Sequence, residues 1–283
     1  MSGYRVVFCD IDGTLLDSEH RLPEATAGAV RDVARAGTPF VLVSARPPEA
    51  IYPFLDKMGL HSPVVAYSGA LVLDGDRKPV HSIGIDSGVT GAIKRRINET
   101  CPDVSVSVYS FDKWIVDDAS NPDVVMEAEI TGLVPVEGRL EEHLPAGNEA
   151  HKLFCVGPAE RISVVEKDLK REFPDLAVCQ SKPYYLEIMN GAATKSNAVR
   201  YLCQAMRLPI GDSVAFGDNF NDIDMLAAAG LGVAMGNAPD EVKAVADRVA
   251  LDNDHEGVRV MLAALGLRNM SHSTRFERAV FRR

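Results

Sequence analysis

The chain is poor in the features that would place it outside the ordinary soluble globular class. Its five cysteines, Cys9, Cys101, Cys155, Cys179 and Cys203, are odd in number and form no C-x-x-C pair. A disulfide framework is therefore not expected, and the thiols read as reduced and mostly buried in a cytoplasmic protein. No charged-then-apolar leader opens the chain. The longest uncharged stretches, Met58 to Leu73 and Met225 to Pro239, are broken by Gly, Pro, Ser or His, so neither reads as a membrane span. Positive charge is in deficit: 30 Lys and Arg against 40 Asp and Glu leave a net charge of -10, which argues against a nucleic-acid partner. A small phosphorylated substrate still fits, provided a divalent cation sits among the acids. The seven histidines are scattered without ligand spacing and are assigned no metal.

What is present suits one large or two moderate domains: 283 residues, 46% hydrophobic and 25% charged. The chain is organised around Arg5 to Asp17. Val6 to Cys9 reads as a buried strand of a parallel sheet, ending abruptly on Asp10 and Asp12, then Gly13 and Thr14. Open α/β sheets place their chemistry at such strand ends. A calcium loop fails on spacing, because its sixth and twelfth positions would be Leu15 and Arg21. A plain Asp-Gly turn would leave the two acids after a buried strand unexplained.

The rhythm that follows is β-α-β-α-β: a helix from Pro23 to about Ala36, a strand Phe40–Val43, a helix restarted by Pro47-Pro48, and a strand Val64–Tyr67. Right-handed crossovers then imply a doubly wound sheet. From about Gly84 to Asn190 the pattern becomes helix, strand, strand, twice over. Val89, Ile93 and Ile97 mark a helix face, and Val104 to Val108 alternates with period two, as an antiparallel sheet with one wet face would. The α/β rhythm resumes with a helix from Lys195, a strand Ser213–Phe216, a helix from Asp222 and a strand Gly232–Met235. The expected fold is an α/β core with a doubly wound parallel sheet over 1–83 and 190–267, with an α+β insert over 84–189. The arginine-containing tail over 268–283 reads as a frayed terminus or a docking arm.

Four polar clusters stand at strand ends or helix starts: Asp10 with Asp12, Ser44, Lys195, and Asp218 with Asn221 and Asp222. Each alone has an ordinary explanation: a helix cap at Ser44, a solvated Lys195, a favourable first-turn charge at Asp222. Lys195 is the most telling, since a cation in a helix's first turn opposes the macrodipole unless an anion is bound there. Asp10, Asp12 and Asp218 together make a hard-oxygen set that suits Mg²⁺.

Together these residues strongly resemble the haloacid-dehalogenase superfamily of phosphatases, in particular its Cof-like branch. The resemblance is most specific at Asp10-Ile-Asp-Gly-Thr-Leu-Leu and Phe216-Gly-Asp-Asn-Phe-Asn-Asp-Ile-Asp-Met-Leu, and also covers Gly232-Val-Ala-Met-Gly-Asn-Ala-Pro. It implies a Rossmann-like core, a large inserted cap of the C2 type, and hydrolysis of small phosphorylated metabolites such as sugar phosphates or cofactor precursors. Carried over, Asp10 resembles the nucleophile and Asp12 the general acid/base. Mg²⁺ would be held by Asp10, the backbone carbonyl of Asp12, and Asp218, with Asp222 in support. Ser44, Ala45, Arg46, Lys195 and Asn221 match the phosphate side. The second motif, usually Thr-Gly-Arg, is here Ser44-Ala45-Arg46; the common Asn-Gly-Ala is Ser68-Gly69-Ala70; and Ser196 follows the lysine where Gly often stands. Selectivity would belong to the cap, with Lys182, Tyr184 and Tyr185 as candidates. An alcohol acceptor in place of water would make the enzyme a phosphotransferase or phosphomutase. A receiver-type signalling module is the alternative of another class, but it has no use for the large insert.

Overall fold

The computed structural model describes residues 3–267; the expected tail over 268–283 lies outside them. The chain divides into two compact units. Among the described residues one comprises 3–46, Ile51–Val80 and 194–267; the other comprises Pro47–Ala50 and His81–Ala193.

The first unit is built on an eight-stranded sheet. Its order is Arg248–Val249, Leu231–Ala234, Ser213–Gly217, Val6–Cys9, Phe40–Val43, Val64–Ala66, Leu71–Leu73, Pro79–Ser82. The first six strands are parallel. The central runs VVFC, FVLV and SVAFG are apolar or small throughout and wholly buried, as strands covered by helices on both faces must be. The helix Glu24–Arg35 buries Ala27, Val30 and Val33, and Lys195–Ala205 buries Ala198, Val199, Leu202 and Cys203. From Val6–Cys9 the chain winds outward through Phe40–Val43 and Val64–Ala66, then returns on the opposite side at Ser213–Gly217. The order reverses between Val6–Cys9 and Ser213–Gly217, and ligands of open α/β sheets bind at the carboxyl ends of such a switch.

Leu71–Leu73 runs antiparallel to Val64–Ala66 and, with Pro79–Ser82, extends the sheet beyond the strands read from sequence. These runs are too short to carry a period of their own.

The second unit holds a six-stranded sheet in the order Leu176–Lys182, Tyr185–Asn190, Lys152–Val156, Ser105–Ser110, Lys113–Val116, Val136–Glu137. All its pairings are antiparallel except the last. Helix, strand, strand occurs twice: Ser87–Thr100 precedes one hairpin and Ala159–Glu172 the other. Alternate residues Val106, Val108, Leu153, Cys155, Leu186 and Ile188 meet Ile93, Ile97, Ile162, Val165 and Leu169 of those helices in one core. Val89 departs from its expected face. It is 36% exposed, while Thr90 and Gly91 take the buried positions one residue further on. No helix among the described residues is long and apolar enough to cross a membrane.

One polar chain built around the buried His151 makes the stability of this unit pH-dependent. The Phe111 N–H donates to His151 Nδ1 at 3.0 Å, which assigns the ring proton to Nε2, 2.8 Å from Ser82 Oγ. Ser82 donates to Glu149 Oε1, and Glu149 Oε2 accepts the Gly84 N–H at 2.8 Å. Burial pushes the imidazole down to about 4, with Glu149 opposing. An unfolded histidine titrates near about 6.5, so the stabilisation is complete above that pH. It is lost as the pH falls toward 4, by up to about 3 kcal/mol. Urea unfolding at pH 7 and pH 4.5 should show this loss, and His151→Gln should show a smaller difference between the two.

Candidate active site

The strand Val6–Cys9 delivers Asp10, whose N–H still bonds the Phe216 carbonyl at 3.0 Å. Beyond it the chain makes one wide turn over Ile11–Leu15, closed by Leu16 N–H on the Ile11 carbonyl at 3.0 Å. Gly13 sits at φ 77°, and a Cβ there would collide with the Asp218 carboxylate. The glycine is thus needed both for its conformation and for the space. Thr14 Oγ1 donates to Asp218 Oδ1 at 2.7 Å. Asn237 Nδ2 holds the Gly13 carbonyl at 2.8 Å, and Asn253 Nδ2 holds that of Leu16 at 2.9 Å. Gly13→Ala should displace Asp218, break its Thr14 hydrogen bond and lower the melting temperature; thermal unfolding of the variant beside the unsubstituted chain checks this.

Lys195 opens its helix 1% exposed, and its ammonium donates to Asp10 Oδ1 at 2.5 Å and Asp222 Oδ1 at 2.6 Å. The conflict with the macrodipole is resolved inside the protein: two carboxylates supply the negative charge that the helix start calls for. Burial alone would lower the ammonium, but Asp10 and Asp222 outweigh it and hold Lys195 above the ordinary lysine range. Asp222 is fully buried and fully used, because its Oδ2 accepts the N–H groups of Asp218 and Asn219 at 3.0 Å each. Asn219 completes a capping box with it.

Carboxylate oxygens of Asp10, Asp218 and Asp222 lie within 4.8 Å of one another, against the single ammonium. Burial, with Asp222 adding to it, pushes Asp218 up to about 6 despite the Thr14 hydrogen bond. Asp10 is raised well above the usual carboxylate range, by burial first and then by Asp222, with Lys195 opposing. Such crowding calls for a further cation. No hydrogen bond among the described residues reaches Asp10 Oδ2 or Asp218 Oδ2, which leaves one hard oxygen on each. That donor set fits Mg²⁺, which takes one or two carboxylates and completes its shell with water and phosphate oxygen.

The other expected residues divide. Ser44 is buried just beyond Phe40–Val43, and its Oγ accepts the Arg46 N–H at 3.2 Å, with Ala45 between them. Arg46 grips Asp12: Nε to Oδ2 is 2.7 Å and Nη2 to Oδ1 is 2.5 Å. The Asp12 side chain therefore stands outside the carboxylate trio, with His20 Nδ1 at 3.6 Å. Asn221 is exposed, two residues beyond the capping Asn219. In the second unit, Lys182 lies over the Tyr185 ring at 5.0 Å, and Tyr184 is exposed. Thr14, Asn237 and Asn253 were not expected at the site. The available signal was a polar residue just past each strand's carboxyl end.

A family model described as haloacid dehalogenase-like hydrolase matches residues 7–262. A Haemophilus influenzae protein, provisionally named a phosphatase, is 37% identical over 92% of this chain and 97% of its own. The HMP-PP phosphatase of Yersinia pseudotuberculosis is 26% identical over 85% of this chain and 86% of its own. A Thermotoga maritima crystal structure aligns with TM-score 0.84 and 28% identity over 92% of this chain and 97% of that one. With the acids at the switch point of the sheet and the match running through both units, the chain belongs to the haloacid dehalogenase-like hydrolases.

Proposed function

We propose that the chain is a Mg²⁺-dependent phosphomonoesterase of small phosphorylated metabolites, sugar phosphates or cofactor precursors, acting through an aspartyl-phosphate on Asp10. The observation that carries this reading is the buried Lys195 between Asp10 and Asp222, with Asp218 alongside. One strand-end carboxylate is poised beside the single ammonium that bonds the trio of acids. The names of the relatives support the same reaction class.

The Asp10 carboxylate attacks phosphorus while Lys195 offsets charge on the transferring group, together with the Ser44 hydroxyl and the backbone at Ala45. Asp12 gives its proton to the departing alkoxide, then takes one from the water that attacks the acyl-phosphate and restores Asp10. Arg46 occupies both Asp12 oxygens, so each proton transfer requires part of that fork to open. Asp10, Asp218 and the Asp12 carbonyl would hold Mg²⁺, which when bound supplies Lewis-acid compensation for the negative charge of carboxylate and phosphate. Asp222 orients Lys195 and the Asp218 loop.

Phosphate release from a panel of phosphorylated metabolites tests the proposal. Release should require Mg²⁺, stop with EDTA and return when the ion is restored. Release that ignores EDTA, or no release from any phosphomonoester, contradicts it.

A further inference from the structure

Among the described residues seven non-glycine residues have positive φ, and only two of them are buried: Tyr67 at 50° and Ser68 at 53°. They are consecutive, and Gly69 prolongs the run at 110°. The left-handed region is disfavoured for side chains other than Gly, Asn and Asp, because Cβ crowds the following carbonyl. Such conformations persist where the surroundings over-determine them, and they cluster at binding and catalytic sites. Here the surroundings are the loops that carry Ser44 and Lys195.

The turn grips the first loop by its backbone. Tyr67 N–H donates to the Arg46 carbonyl at 3.1 Å, and Ser68 N–H donates to the Ser44 carbonyl at 2.9 Å. Ser44 N–H returns to the Val65 carbonyl at 2.9 Å, just before the turn. The second loop is admitted at Gly69. A Cβ there would collide with the Thr194 carbonyl oxygen and lie 2.5 Å from the carbonyl carbon, immediately before Lys195. An extended residue at position 68 would carry the chain away from both contacts.

We propose that the Tyr67–Gly69 turn is a positioning element for phosphate binding. Ser68 acts through its left-handed backbone, not its hydroxyl, and fixes Ser44–Arg46 against Thr194–Lys195. The inference rests on reading those two loops as the phosphate side of a phosphomonoesterase.

Four variants of the full chain test it. Ser68→Gly and Ser68→Asn accept positive φ, Ser68→Ala removes the hydroxyl alone, and Ser68→Val resists the conformation. Three quantities are read: kcat and KM for p-nitrophenyl phosphate with Mg²⁺, inhibition by inorganic phosphate, and amide exchange at 44–46 against the strand Val6–Cys9. The Gly and Asn variants should stay within about threefold of the unsubstituted chain. The Val variant should lose about tenfold or more in kcat/KM, mostly through KM, and weaken phosphate inhibition to match. Exchange should quicken at 44–46 and stay unchanged in the strand. A Gly variant as impaired as the Val variant hands the role to the hydroxyl, and a Val variant equal to the parent removes it from the backbone; either overturns the proposal. If Ser68→Val does not fold, equal losses in the Gly and Ala variants with Asn also impaired overturn it just as well. An unsubstituted chain inactive on every phosphomonoester sinks the phosphatase reading instead, and the exchange comparison then decides the positioning role alone.

Discussion

Replacing Asp10 with asparagine lowers kcat by about four orders of magnitude or more, the scale seen when a nucleophile acting within a catalytic unit is removed. An amide cannot open the acyl-phosphate route, and nothing else in the trio stands in. Asp222 has both oxygens bound, and Asp218 has one taken by Thr14. The fold should survive. Asparagine keeps a carbonyl oxygen for the Lys195 ammonium, which also retains Asp222 at 2.6 Å, and one of three crowded acids is gone. The change in unfolding free energy should stay within about 1 kcal/mol. Phosphate release and urea unfolding on one preparation separate the two effects, and activity near that of the parent refutes the nucleophile assignment.

Lys195→Ala is expected to damage both properties. The fully buried Asp222 and the nearly buried Asp10 would then face each other without a cation, and removing one partner of a buried ion pair costs about 3–5 kcal/mol. Turnover in molecules that remain folded should fall about 10²–10³-fold, the scale for losing one preorganised donor to a developing oxyanion. Lys195→Met keeps most of the volume and so isolates the charge. If both variants unfold like the parent, Lys195 is not the hub that its two bonds imply.

The sequence exposed this site wherever chemistry interrupted a pattern. Asp10, Ser44 and Asp218 each follow a run with no other use for a polar residue, and Lys195 stands at the wrong end of a helix for its charge. The strands Val6–Cys9, Phe40–Val43 and Ser213–Gly217 were legible because full burial leaves an uninterrupted apolar run. Pairings across loops were not legible. Arg46 and Asp12 are 34 residues apart, and their fork depends on how two strand-end turns face each other. Tyr67 and Ser68 carry no signal for left-handed backbone, because their neighbours impose that conformation. Val89 fitted the helical spacing, but register against the sheet gave the buried place to Thr90. Asn221 came from the resemblance and not from a periodic pattern, and it stands exposed beside Asn219, which makes the capping box.

Every later step of the proposed reaction depends on the covalent intermediate on Asp10. Acid quenching during turnover of a phosphomonoester, followed by borohydride reduction and peptide mass spectrometry, tests it directly. The acyl-phosphate should be reduced to homoserine at position 10, with none in Asp10→Asn. Steady turnover with position 10 unmodified at every quench time, or the phosphoryl group on another side chain such as Ser44, would contradict it.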